Sequence, residues 1–327
     1  APTVDVTNVS AGNVTVQPPT DLYANGSVEL TATADGTPDP AANVTFVLSA
    51  EFTTFERTVE ATRAGDEWTA TVPGDDLPID GRYNVTATVT DHARNIGNTT
   101  TDTTVVVDRL APEPGAAIRR IDPTTGQLTV TLTDANPPRT ASGVEAAITR
   151  PDGTTDTVSV TPETSARTNW TGTFSLPAAA NGTYTITTNG TDRAGNRGST
   201  TAQARIGQFD TTNRTFTVLV EPSNAFVRFN TTGEVNDTFV SVTVSDARLA
   251  PLSSGLAGVR FLNGQIGPDL RANLTNATLG IPVENSSLPA GIPADGATIA
   301  LYDPVNETWD RRTTTTVRTV TLPDGTT

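Results

Sequence analysis

One stretch of the sequence occurs twice, and it decides the fold. Its first copy is GRYNVTATVTDHARNIG, residues 81–97, and its second copy is GTYTITTNGTDRAGNRG, residues 182–198. Gly, Tyr, Asp, Ala, Asn and Gly recur at the same offsets in both copies. Self-similarity of this kind indicates that one supersecondary unit is used twice along the chain.

Each copy begins as a strand and ends as a turn. In the first copy, apolar residues from Tyr83 to Val89 alternate with polar ones, which is the period-2 pattern of a half-buried strand. The second copy alternates less cleanly after Ile186. The Asp, Asn and Gly residues that follow favour a turn, because they bond to the local backbone or accept positive φ. Each copy is therefore predicted to be a strand and the hairpin turn that leaves it.

The tyrosine of the repeat carries a resemblance to a known fold. Tyr83 and Tyr184 each stand two residues before an apolar residue, Val85 or Ile186. In the immunoglobulin-like sandwich, a Tyr near the start of strand F stands two residues before a core position that antibodies fill with Cys. The resemblance implies an all-β fold with tandem immunoglobulin-like β-sandwich domains, here without the disulfide.

The repeat also sets the predicted domain boundaries. WTATV at 68–72 matches WTGTF at 170–174, which extends the likeness through most of two domains, residues 1–110 and 111–208. Residues 209–327 do not align with them, but they contain further β-type stretches and are predicted to form a third, β-rich domain, truncated or incomplete. The chain begins with Ala-Pro, as the second repeat does, so we expect it to be a slice of a longer protein.

The composition is acidic and narrow. The 327 residues carry a net charge of −15 and include no Cys, no Met and no Lys. An acidic, lysine-free chain resembles the proteins of haloarchaea; an ordinary acidic protein is the alternative. Salt screens the self-repulsion of such a charge, and without a basic patch the chain is a poor ligand for nucleic acid. The absence of Cys excludes thiol chemistry and disulfide staples.

Most asparagines lie in N-glycosylation sequons, which favours an extracellular or cell-surface location with N-linked glycans. Solvent-facing Asn and Thr of β-strands explain a part of this excess. No apolar run approaches the ~20 residues of a membrane span, so a membrane anchor, if there is one, lies outside this segment. The sequon asparagines are Asn8, Asn13, Asn25, Asn43, Asn84, Asn98, Asn169, Asn181, Asn189, Asn213, Asn230, Asn236, Asn273, Asn276, Asn285 and Asn306.

Catalytic constellations are not visible in the sequence. His92 is the only histidine, and it occupies the turn position that Arg193 holds in the second copy, which indicates a solvated turn residue. Asp75 and Asp76 form the one acidic pair that stands out, and a loop pair of this kind is typical of a turn rather than of a glycosidase. We therefore predict that the chain is not an enzyme.

Calcium is the one cofactor that the sequence suggests. Asp91 with Asn95, and Asp192 with Asn196, offer the hard oxygens that calcium prefers, and Asp108 lies near a domain junction, as does Asp210. The same Asp-x-Ala-x-Asn pattern also closes a hairpin without any ion. Both interpretations stay open at this point.

The repeats resemble those of haloarchaeal surface-layer and cell-envelope glycoproteins. This resemblance implies a non-catalytic scaffold that associates with copies of itself or with other cell-surface components. The alternative is a binding module, either an adhesin or the ectodomain of a larger surface protein, sensor or secreted hydrolase. Because one fold serves many functions, this assignment rests on analogy.

Overall fold

The structure is a computed structural model, and the fold is all-β, as predicted. Among the described residues, the helical elements are one α-helix of six residues and one 3₁₀ helix of three residues. Every other element is a strand. The chain divides into two compact units, Ala1–Ala111 with Asp192–Asn196, and Pro112–Thr191 with Arg197–Thr327. The structure describes residues 2–12, 14–18, 20–35, 41–122, 124–138, 143–176, 181–211, 214–249, 258, 260–283, 288, 290, 298–303 and 308–311.

The first unit is a β-sandwich of two five-stranded sheets. Its strands are β1 (Thr3–Ala11), β2 (Val14–Val16), β3 (Leu22–Ala24), β4 (Val28–Asp35), β5 (Ala41–Ala50), β6 (Glu56–Glu60), β7 (Thr62–Ala64), β8 (Glu67–Val72), β9 (Gly81–Asp91) and β10 (Ile96–Val107). Sheet A has the order β2-β1-β4-β8-β7, and sheet B has the order β3-β10-β9-β5-β6. The β3–β10 pair is parallel and the other pairs are antiparallel.

The first copy of the repeat forms β9, the turn after it and the start of β10. The alternation seen in the sequence is the alternation of burial, since Tyr83, Val85 and Val89 are fully buried. The hydroxyl of Tyr83 donates to the carbonyl oxygen of Ile79 at 2.8 Å, and it accepts from the Ile79 N–H at 3.1 Å. A tyrosine hydroxyl that bonds to the backbone a few residues earlier in the chain is the tyrosine corner known from immunoglobulin-like sandwiches.

The second unit continues in strands. They are β11 (Glu113–Asp122), β12 (Thr125–Thr133), β13 (Val144–Thr149), β14 (Thr155–Val158), β15 (Thr161–Pro162), β16 (Asn169–Ser175), β17 (Gly182–Thr191), β18 (Arg197–Thr211), β19 (Thr215–Val220), β20 (Ala225–Thr231), β21 (Val235–Ser245), β22 (Phe261–Ile266), β23 (Leu274–Gly280), β24 (Ala300–Asp303) and β25 (Thr308–Arg311), with α1 (Pro268–Asn273) between β22 and β23.

These strands form four sheets. Sheet C is β11-β12-β16-β15, and sheet D is β14-β13-β17-β18-β21-β22. Sheet E is β19-β20-β23, and β24 pairs with β25 alone. The boundary predicted at 208/209 falls inside β18, which pairs with β17 on one side and with β21 on the other. One of the β-type stretches that the sequence contains after residue 209, at residues 318–322, lies outside the described residues.

Strand β21 is buried on both faces. Val240, Val242 and Val244 belong to one hydrophobic cluster, while the intervening Ser241, Thr243 and Ser245 are also buried. The hydroxyls serve as backbone partners: Ser241 donates to the carbonyl oxygen of Ile118 at 2.9 Å, and Thr243 accepts from the Ile118 N–H at 3.1 Å. Side chains of β21 therefore satisfy the edge of β11, where a further strand would otherwise pair.

Three separate hydrophobic clusters fill the described part of the chain. The first gathers residues from Val4 to Val107, the second from Ala116 to Ile206 and the third from Val218 to Leu270. Tyr83 lies in the first cluster and Tyr184 in the second, so the two copies of the repeat serve different cores. No helix among the described residues has the length and apolar character that crossing a membrane requires.

A glycine in each copy of the repeat admits a close backbone approach. A Cβ on Gly97 would lie 2.0 Å from the carbonyl oxygen of Pro2, and a Cβ on Gly198 would lie 1.7 Å from that of Pro112. Real Cβ atoms do not approach an oxygen so closely, so only glycine fits at either position. Pro2 and Pro112, the prolines of the two Ala-Pro pairs in the sequence, are therefore packed alike in the structure.

Candidate functional site

The two predicted cation turns have the same hydrogen bonds. In the first turn, Asp91 accepts from the Asn95 backbone N–H at 2.7 Å and from its side-chain amide at 2.8 Å. In the second turn, Asp192 accepts from the Asn196 backbone N–H at 2.9 Å and from its side-chain amide at 2.8 Å. Both oxygens of each carboxylate thus have a donor, which closes each turn by hydrogen bonds alone.

One backbone position distinguishes the two turns. Arg94 has a φ of 66° in the first turn, whereas Gly195 has a φ of 87° in the second. A left-handed conformation costs a residue with a side chain about 1–2 kcal/mol but costs glycine far less. The first turn therefore carries local strain that the second lacks.

The carboxylates also differ in their electrostatic surroundings. The side-chain hydrogen bond from Asn95 is the main reason why the pKa of Asp91 lies below its ordinary value. Burial raises the pKa of Asp192, and the neighbouring Asp108 carboxylate raises it further, which together outweigh the hydrogen bonds from Asn196. The two equivalent residues thus have pKa values shifted in opposite directions.

Asp108 distinguishes the Asp192–Asn196 turn from the Asp91–Asn95 turn, and it belongs to the same unit as both. A carboxylate oxygen of Asp108 lies within 4.8 Å of one of Asp192, and both residues are buried. The Asp108 backbone carbonyl accepts from the Asn196 side-chain amide at 2.9 Å. Two buried carboxylates at this distance could hold a calcium ion between them, because calcium takes oxygen ligands from carboxylates. Calcium at this turn, and at the Asp91 turn, stays a prediction.

Two further contacts of the Asp192–Asn196 turn could not be predicted from the sequence. The Asn25 side-chain amide donates to Asn196 Oδ1 at 3.1 Å, and the Arg193 guanidinium donates to the Tyr23 hydroxyl at 3.0 Å. The Arg193 guanidinium carbon also lies 5.1 Å from the centre of the Tyr23 ring, within cation–π range. These partners lie 170 or 171 positions apart in the chain, so no local pattern predicts them.

The residues considered for catalysis do not belong to the Asp192–Asn196 turn. His92 is exposed on the turn that follows β9. Asp75 and Asp76 lie in a short 3₁₀ turn, Gly74–Asp76, where Asp76 accepts from Arg57 at 2.6 Å. Asp210, which the sequence suggested for calcium rather than for catalysis, lies in β18, where its side chain is outside the described set.

The large aromatic residues of the repeat are core residues. Trp68 and Trp170 are both buried, and the Trp170 indole N–H donates to the Arg167 carbonyl oxygen at 3.3 Å. A stacking platform for sugars would need an exposed ring face. These two residues therefore stabilise their sandwiches instead.

The sequon asparagines that the structure describes lie at the surface. Asn43, Asn84 and Asn98 are exposed and share the outer face of sheet B, because Asn43 and Asn98 are in register with the outward Thr90 and Thr88. The side chains of Asn25, Asn181, Asn189 and Asn276 are also exposed, and those of Asn8, Asn169, Asn230 and Asn273 are partly buried. The side chains of Asn13, Asn213, Asn236, Asn285 and Asn306 lie outside the described set.

No protein-family model and no curated protein matches the chain. Among solved structures, the chain is similar to the fibronectin(III)-like modules of Clostridium thermocellum CbhA, with 15% identity, a TM-score of 0.30, and coverage of 61% of this chain and 92% of that one. A tetra-tandem repeat from the extending region of a large adhesion protein shows 15% identity and a TM-score of 0.29, with 82% and 74% covered.

Dimeric latent PorU from Porphyromonas gingivalis shows 12% identity and a TM-score of 0.23, with 81% of this chain and 33% of that chain covered. The present chain thus spans about a third of the length of PorU. At these identities and TM-scores, nothing about the function of the chain follows from the likeness.

Proposed function

We propose that the chain is a non-catalytic structural segment of a cell-surface glycoprotein of a halophilic archaeon, of the cell-envelope or surface-layer type. The observation that carries the proposal is the placement of the sequons on outer faces of complete β cores. Asn43, Asn84 and Asn98 lie on one such face in the first unit. Glycans on that face would keep it hydrated and would leave other surfaces to contact copies of the same protein.

The charge distribution supports the halophilic part of the proposal. Carboxylates line the outer face of sheet A, where Asp5, Glu29 and Glu67 are exposed on neighbouring strands. With a net charge of −15, the chain repels itself in dilute buffer, and salt weakens this repulsion. Molar salt should therefore be the medium in which the cores are most stable.

A binding ectodomain is the second candidate, and one residue favours it. Phe52 is fully exposed at the tip of the β5–β6 hairpin and has a φ of 62°. Thr53 holds the tip, since its hydroxyl accepts from the Phe55 N–H at 3.1 Å. A strained turn that presents an aromatic side chain to solvent is typical of a contact residue. The occupant of this tip would be an apolar pocket on another surface component.

The decisive experiment examines the chain after expression in a halophilic archaeal host. We expect glycopeptides in the mass spectrum and ordered sheets of protein in negative-stain electron micrographs at molar salt. A Phe52→Ser variant should leave the sheets intact if the scaffold role is right. Glycosylated protein that stays monomeric and loses attachment to cells in Phe52→Ser would favour the adhesin instead. Unglycosylated monomers would contradict both candidates.

A further inference from the structure

Three sequon asparagines lie together around sheet E. Asn230 in β20 stands directly opposite Asn276 in β23, and the register of β19 adds Thr215 on the other side of Asn230. Asn273 is the last residue of α1, just before β23. One small surface thus carries three sites that the sequence pattern treats as equivalent.

The amide of Asn230 is bound at both ends. The Thr215 hydroxyl donates to Asn230 Oδ1 at 2.8 Å, and Asn230 Nδ2 donates to Asn276 Oδ1 at 2.5 Å. In this orientation, the amide oxygen of Asn230 has a donor and its nitrogen has an acceptor. This three-strand polar ladder therefore engages one N–H of the amide nitrogen to which a glycan would be attached.

Asn273 is engaged in a similar way. Its Nδ2 donates to the Asp269 carbonyl oxygen at 2.9 Å, one helical turn earlier. Its Oδ1 accepts from the hydroxyl of Thr232 at 3.3 Å, and Thr232 is the hydroxyl residue of the Asn230 sequon. The hydroxyl residue of the Asn230 sequon is thus hydrogen-bonded to the asparagine of the Asn273 sequon.

Asn276 is different because only its oxygen takes part in the ladder. The residue is exposed, as is Thr278, the hydroxyl residue of its own sequon. Nδ2 of Asn276 has no hydrogen-bond acceptor among the described residues. Of the three amide nitrogens, it is thus the one that donates no hydrogen bond within the described part of the fold.

We infer that Asn276 is the glycosylated member of this group and that Asn230 and Asn273 stay unmodified in the folded protein. The inference rests on the proposed glycoprotein function and adds a selection among its sites. The donor is a lipid-linked sugar phosphate. Nδ2 bonds to the anomeric carbon of the sugar, the bond from that carbon to the phosphate oxygen breaks, the phosphate leaves with the electron pair, and Nδ2 releases one proton.

Neighbouring glycans would also exclude each other. Side chains directly opposite each other on antiparallel strands have Cβ atoms about 5 Å apart, which is close to the width of one sugar ring. A glycan on Asn276 therefore covers Asn230 and leaves no space for a second one. The ladder and the crowding favour the same outcome.

The test is glycopeptide mapping of the full chain from the archaeal host, with a co-expressed marker glycoprotein to show that the machinery is active. We expect glycan at Asn276 and bare peptides for Asn230 and Asn273. Thr278→Ala removes the Asn276 sequon but keeps the ladder, so all three sites should be bare. The double variant Thr215→Val, Asn276→Ala breaks the ladder, so glycan should appear at Asn230.

The outcomes separate the inference from the function on which it rests. Glycan at Asn230 or Asn273 in the wild-type chain or in Thr278→Ala would overturn the inference and leave the glycoprotein proposal standing. A bare Asn230 in the double variant would overturn the role of the ladder, and with it the inference. A chain without glycan at any sequon, beside a glycosylated marker, would overturn both.

Discussion

The Tyr83 hydroxyl and the backbone of Ile79 exchange two hydrogen bonds across the turn that enters β9. Tyr83 is fully buried, and burial raises the pKa of its hydroxyl, so the group stays neutral at physiological pH. Tyr83→Phe keeps the ring but leaves the Ile79 N–H and C=O without this partner. We expect a loss of about 1–3 kcal/mol in the free energy of unfolding of the first unit.

Urea unfolding monitored by hydrogen exchange would measure this loss, because peptides from each unit are read separately. Thr86→Val, an outward substitution on the same strand, is the control and should change stability by less than about 0.5 kcal/mol. Equal effects of the two substitutions would contradict a structural role for the tyrosine corner.

The equivalent glycines Gly97 and Gly198 give a paired prediction. An alanine at either position places a Cβ against the carbonyl oxygen of Pro2 or Pro112, so backbone must move. We expect each Gly→Ala variant to lower stability by about 1–3 kcal/mol in its own unit. Gly233→Ala is the control, since a Cβ there meets no atom within 4 Å. A melting temperature unchanged in all three variants would refute the close approach.

Asp21 gives a prediction about acid stability. Burial raises the pKa of this carboxyl, but hydrogen bonds from Thr104 and Arg82 outweigh that effect, and the net pKa is lowered. A lowered pKa in the folded state contributes stability above the unfolded value of about 3.9, and this stability is lost as the pH falls through the folded value. Asp21→Asn should be less stable than wild type at pH 7, and the difference should shrink as the pH falls below the unfolded value.

Thermal unfolding of both proteins from pH 7 to pH 2 would test this. Asp75→Asn is the control, because Asp75 is exposed in its turn. A difference between wild type and Asp21→Asn that grows on acidification would contradict the assignment.

Calcium should distinguish the two Asp-x-Ala-x-Asn turns. Only Asp192 has a second buried carboxylate, that of Asp108, at a distance that one ion can bridge. If calcium binds as the sequence predicts, it should raise the melting temperature of wild type and of Asp91→Asn, but not of Asp192→Asn. Calorimetry with calcium or with chelator gives the answer. An equal shift in all three proteins would place the binding elsewhere.

The hydroxyl of Thr243 is expected to hold the second unit together. Thr243→Val leaves the buried Ile118 N–H without its acceptor, which costs about 1–3 kcal/mol. Thr217→Val, on the exposed side of β19, is the matched control. Ile186→Asp should go further and unfold the second core, with loss of exchange protection in β21 as well. Protection of β21 that survives Ile186→Asp would show that the third core is independent.

The local sequence pattern predicted the repeated strands well. Apolar residues such as Tyr83 and Val85 alternate with polar ones, which is the period of a strand with one face in the core and one in solvent. The alternation of β21 does not reveal that both of its faces are buried. Ser241 and Thr243 alternate with valines as solvent-facing residues would, yet they are buried against β11. A hydroxyl that bonds to a distant backbone looks the same in the sequence as a hydroxyl that bonds to water. Only three-dimensional pairing distinguishes the two.

The candidate site shows the same limit. The hydrogen bonds within each turn could be predicted, since Asp and Asn lie four residues apart. The partners Tyr23, Asn25 and Asp108 could not, because they come from remote parts of the chain. The sequons were recognised by their pattern, but which of their nitrogens are already engaged depends on neighbours across the sheet.

Strand β18 gives one ladder of hydrogen bonds to each of its two neighbours, β17 and β21. Sheet D thus continues without a break from the second hydrophobic cluster to the third, so β21 has no flexible joint at which it could separate from β18 first. Under tension, such a segment would resist as one stiff element and yield in a single event.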